Sequence, residues 1–150
     1  MKTLFTLGFL TIACTVVHAQ WGGVMDATAI KKQIQGTFLF ESVEGKDLDG
    51  KTLPEREMDA IKNDLCIGRS SITFFRDDVF IIKTPEGCKA QSENKGKYSI
   101  ENGVITLTYA KDACETCGNK INLRYYYVDG QSKISPLDGD EDKTIIITLK

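Results

Sequence analysis

The chain has 150 residues, 19 basic and 21 acidic side chains for a formal net charge of −2, one histidine and five cysteines. Its longest basic cluster is Lys31-Lys32, so its surface is a poor match for nucleic acid or anionic lipid. The lone histidine, His18, falls inside an apparent leader, and a mature chain without histidine has no Ser-His or Cys-His mechanism and lacks the commonest metal ligand.

Residues 1–19 read as a secretory signal peptide. Lys2 gives the positive start, Leu4 to Val17 is an apolar run too short to span a membrane, and Val17-His18-Ala19 places small residues around the cleavage point before Gln20. The predicted location is secreted or periplasmic. The competing reading is an outer-membrane lipoprotein anchored through Cys14, against which stand Thr11 and the apolar Thr-Val-Val after the cysteine. Cleavage after Ala19 leaves 131 of the 150 residues, and taking Lys2 from the 19 basic residues leaves 18 against 21 acidic ones. That is one domain with one core.

Residues 20–35 form a linker and a first helix. Asp26 is its N-cap, Ala27, Ile30 and Ile34 share one face, Met25 and Ile30 make a staple, and Gly36 stops it. The barrel occupies residues 36–150. Its first strand is apolar on both faces, with Phe38 and Phe40 on one side and Leu39 and Val43 on the other, so the Asp26 helix is expected against its outer face. Thr52-Leu53-Pro54-Glu55 has capping-box spacing before a second helix, whose stripe of Met58, Ile61 and Leu65 suits a helix laid across a barrel end.

Short strands then follow one another: Ser70 to Phe75, Val79 to Thr84, Lys97 to Glu101, Val104 to Tyr109, Ile121 to Val128, Ser132 to Ser135 and Thr144 to Leu149. Asn102-Gly103 and Asp129-Gly130 are hairpin turns. The fold class is therefore all-β: an eight-stranded antiparallel up-and-down barrel with a short N-terminal helix and a helix between the first two strands.

Four cysteines remain after export, and in an oxidising compartment disulfides are the default. Cys66 lies eleven residues before Asp77 and Cys88 eleven after it, so a hairpin folded at Asp77 sets them opposite each other. Opposed residues have Cα atoms about 4.5 to 5.5 Å apart, within disulfide reach, and the closed loop predicts roughly 3 kcal/mol of stabilisation. Pro85 and Gly87 interrupt that ladder. Cys114 and Cys117 then form a local staple; a thiol-disulfide redox motif and a zinc site using all four cysteines are the alternatives. Asp138 to Asp142 resembles a calcium loop only in part, since Lys143 and Leu149 stand where glycine and glutamate are needed, and it reads as a solvated turn.

An export signal, Gly36-Thr37-Phe38 continuing as Glu-Ser-Val-Glu-Gly, a cysteine before Ile-Thr-Phe-Phe-Arg-Asp-Asp, a cysteine after the next strand, and Gly-Lys-Tyr-Ser-Ile-Glu-Asn-Gly-Val-Ile-Thr-Leu together resemble the small secreted bacterial lipocalin-like domain proteins. The resemblance implies an eight-stranded barrel in a family whose larger relatives bind small apolar molecules inside it. Phe38 stands where these proteins usually carry tryptophan, and the short chain implies a smaller cavity.

Inward alternation of aromatic and aliphatic residues nominates Phe74, Phe80, Tyr98, Leu107, Leu123, Tyr125 and Ile147 as the lining of a site for a small apolar ligand. No catalytic residue, cofactor or metal is expected. The alternatives are a structural or interaction protein whose barrel is filled by its own side chains, and a redox protein using Cys114 and Cys117.

Overall fold

The computed structural model describes residues 25–89, 91–110, 120–138 and 141–150. Along the chain come α1 (Ala27–Gln33), β1 (Gly36–Asp47), α2 (Glu55–Leu65), β2 (Ser71–Phe74), β3 (Val79–Thr84), β4 (Ser92–Glu101), β5 (Val104–Tyr109), β6 (Lys120–Val128), β7 (Gln131–Pro136) and β8 (Lys143–Leu149). The strands pair antiparallel in sequence order and β8 returns to β1, closing an eight-stranded up-and-down barrel. Closure gives every strand two neighbours, with β7 and β8 paired only over Ser132–Ile134.

Local chemistry explains the connections. Asn102 and Gly103 take φ of 50° and 78°, and Asp129 and Gly130 take 52° and 77°, the left-handed pairs that two-residue hairpins require. β2 and β3 pair in the expected register, Ile72 with Ile82 and Phe74 with Phe80. Strand β4 begins at Ser92, five residues earlier than its polar, glycine-containing sequence suggested. Gly96 allows this: a Cβ there would lie 2.0 Å from the Thr108 carbonyl oxygen and 2.9 Å from the Phe80 ring. Sheet pairing to β3 outweighs weak strand propensity.

Three expectations are corrected. A register shift between Phe40 and Ser42 reverses the alternation of β1, so Phe40 and Val43 both reach the core while Leu39 is 44% exposed. The capping box does not form: Pro54 caps α2 without a side-chain bond, because Thr52 is engaged in a bridge with Lys46. Finally, α1 does not lie on the outer face of β1. Its Ile30 and Ile34 are wholly buried in the barrel core, and the helix packs against β4 across one end of the barrel.

Asp26 caps α1 as expected, its Oδ2 accepting from the Thr28 amide at 3.1 Å. The opposite end carries α2, which rests on β1 through Met58. Gly45 makes that approach possible, since a Cβ there would meet Leu53 Cδ1 at 2.6 Å and Met58 Sδ at 2.7 Å. The helix ends in a Schellman motif: the Cys66 amide donates to Asn63 O (3.2 Å) and the Ile67 amide to Lys62 O (3.1 Å). Cys66 itself adopts the left-handed conformation and is bridged to Cys88, with Cα atoms 5.9 Å apart. The predicted disulfide is therefore present. It joins the end of α2 to the β3–β4 connection, beyond the last ladder pair of β2 and β3.

Candidate functional site

The seven residues nominated as ligand lining all point into the barrel and belong to one contiguous core. None of Phe74, Phe80, Tyr98, Leu107, Leu123, Tyr125 and Ile147 has more than 6% of its surface accessible. They pack within the same buried cluster as Ile30 and Ile34 of the α1 segment. Phe74 and Tyr98 meet edge to face with ring centroids 5.1 Å apart, and Phe80 meets Tyr109 at 5.4 Å.

The plug is polar at its contact with the barrel rim. Gln35 Nε2 donates to the Tyr98 hydroxyl (3.0 Å), which donates to Phe75 O (2.9 Å). The Tyr125 hydroxyl donates to Gln33 Oε1 (3.0 Å) and lies 2.9 Å from Ser132 Oγ, which donates in return. Lys31 Nζ reaches Asp78 Oδ1 at 2.5 Å. Burial pushes the Tyr98 and Tyr125 pKa values up, against the opposing pull of the Gln35 and Ser132 hydrogen bonds. The Asp78 hydrogen bond raises Lys31. These groups hold α1 in place; their hydroxyls and amides are occupied with one another.

The α2 end is built differently. The apolar residues Ile61, Leu65, Ile82, Tyr109, Ile121 and Ile145 pack against the core and remain partly exposed. Between α2 and the ends of β6, β7 and β8 lies a cleft of about 420 Å³. Its apolar lining is Ile61, Pro136, Leu137 and Ile145 beside Tyr126, and its charged lining is Arg124, Glu141 and Lys143. Two sets of polar bonds shape it. Asn122 accepts from the Thr106 hydroxyl, its backbone accepts from the Leu137 amide (2.8 Å), and its own amide donates to Asp138 Oδ2 (2.6 Å), which pins the end of β7 to β6. Lys143 Nζ donates to Glu57 Oε1 at 2.5 Å and ties β8 to α2.

Leu137 is therefore held 43% exposed within a cleft of ligand size. Leu137 escaped the sequence reading because it follows a strand end, where alternation carries no information. Arg124, on the face of β6 opposite that of Tyr125, is exposed and lines this cleft. Among the described residues no group of three or more His, Cys, Asp or Glu side chains is placed to hold a metal ion. Asp138 is committed to Asn122. Cys114 and Cys117, and the predicted signal peptide with Cys14, lie outside the described residues.

Comparison with known proteins finds no matching family model, no matching curated protein and no matching solved structure. An eight-stranded barrel is compatible with the lipocalin-like resemblance and does not by itself name a family. The Cys66–Cys88 disulfide is consistent with an oxidising compartment, and no described helix is long and apolar enough to cross a membrane.

Proposed function

We propose that this chain is an exported, non-catalytic, lipocalin-like binding protein that takes a small apolar molecule at the α2 end of the barrel. The observation that supports this reading is the cleft of about 420 Å³ whose apolar lining, Ile61, Pro136, Leu137 and Ile145, includes a large side chain left in contact with solvent. Clefts of this size that combine apolar walls with a few polar groups are the usual setting for small ligands. The burial of the seven nominated residues supports the cleft as the place of contact.

Nile red, an uncharged apolar dye, is the test. The mature chain is expected to enhance its fluorescence saturably, and Leu137→Ser should weaken binding about fivefold while leaving the far-ultraviolet spectrum intact. An unchanged dye signal at high protein concentration would end the reading. It would favour the second one, a side-chain-filled barrel acting through its surface, which the near-complete burial of Phe74, Phe80 and Leu107 supports.

A further inference from the structure

We infer that the preferred occupant of this cleft is a small amphiphile with an anionic head, its carboxylate or equivalent group bound by Arg124 and its apolar body laid on Leu137 and Ile145. The inference rests on the proposed use of the cleft and names the chemical class it selects.

The charged lining decides the class. Lys143 is already tied to Glu57 through a 2.5 Å contact, so its charge is largely answered within the protein. Arg124 sits on β6 opposite Ser135 and Val104, neither of them charged, and makes no ion pair among the described residues. A guanidinium with a free fork beside an apolar surface fits a planar carboxylate bidentately while its stem packs on the ligand body. Glu141, the third charged residue of the cleft, opposes an anion and bounds the affinity. A cation-headed ligand would have Glu141 in its favour and the Arg124 guanidinium against it, the Lys143 charge being answered by Glu57.

Decanoate and decanol share one apolar chain and differ in the head group, so they separate the two levels of the argument. Binding is followed by amide chemical shifts on isotope-labelled full-length mature chain. Decanoate is expected to shift Ile61, Leu137 and Ile145 and to bind about tenfold tighter than decanol at low salt. Arg124→Gln should weaken decanoate far more than decanol and so bring the two close together, and Glu141→Gln should tighten decanoate a few-fold. The preference should shrink in 1 M salt, because the pair is solvent-exposed.

Equal binding of the two probes at the cleft, or decanoate binding unchanged in Arg124→Gln, would overturn the head-group assignment while leaving the cleft a ligand site. Absence of binding by either probe, or shifts confined to residues remote from the cleft, would overturn both.

Discussion

At the α1 end, Ile30 and Ile34 are driven wholly into the barrel and the helix is bonded to the rim through Gln33, Gln35 and Lys31, whereas at the α2 end Ile61 and Leu65 stay half-buried and the helix is held from the side. The two helices serve one sheet by different means. α1 covers by insertion: its apolar face replaces solvent at the barrel mouth, and hydrogen bonds satisfy the polar groups that insertion would strand. α2 is located by tethers, the Cys66–Cys88 bridge and the Lys143–Glu57 pair, which fix its position without covering the apolar surface beside it. A cleft of about 420 Å³ remains beside the tethered helix, and a smaller one of about 320 Å³ borders Ala27, Lys31 and Tyr98 beside the inserted one.

That contrast predicts unequal costs for similar truncations. Ile34→Ala removes a fully buried side chain from a closed site and should cost about 2–5 kcal/mol in urea unfolding. Ile61→Ala trims a half-exposed side chain at the cleft and should cost about 1 kcal/mol or less. Comparable losses from the two would mean that the ends are equally sealed.

The tethers come next in size. Replacing both Cys66 and Cys88 with serine should remove roughly 3 kcal/mol, the chain-entropy value for a closed loop of 22 residues. The change should also be local. Hydrogen exchange is expected to accelerate first in the last turn of α2, where Cys66 holds a left-handed conformation. Amides of α1 should follow only with global unfolding. Exchange rising equally in both helices would show that the bridge stabilises the barrel as a whole and not the α2 end.

How much of this was legible follows from what each residue had to announce. The hairpins at Asn102-Gly103 and Asp129-Gly130, the alternation of Ile105 and Leu107, and the cysteine spacing about Asp77 are local signals, and each appears in the structure at the expected place. The β1 bulge was invisible, because nothing in Phe40-Glu41-Ser42 marks the change of partner from β2 to β8 that accompanies it. The direction of α1 was also hidden: an amphipathic stripe states that a helix is covered, not by which surface. The cleft was least legible of all. Ile61, Arg124, Leu137 and Ile145 come from four separate segments, and only the closed barrel brings them together.

An effect smaller than loss of the bridge tests the polar seal of the α1 end. Tyr98→Phe deletes the hydroxyl that accepts from Gln35 and donates to Phe75 O, and should cost about 1–2 kcal/mol near neutrality. Its clearer mark is in the pH dependence. Burial raises the Tyr98 and Tyr125 pKa values above the ordinary value near 10, so the folded chain keeps protons that the unfolded chain has begun to release. Their contribution is complete below pH of about 10, and is lost as pH rises through the raised folded values. Urea midpoints measured between neutral and strongly alkaline pH should therefore fall steeply above about pH 10 in the parent. In Tyr98→Phe/Tyr125→Phe the fall should be shallower, with a residual slope from Tyr109, whose pKa burial also raises, and from Lys31, raised by its Asp78 hydrogen bond. An unaltered alkaline slope in the double variant would mean that the seal between plug and barrel does not depend on the protonated hydroxyls, and that apolar insertion of Ile30 and Ile34 closes that end by itself.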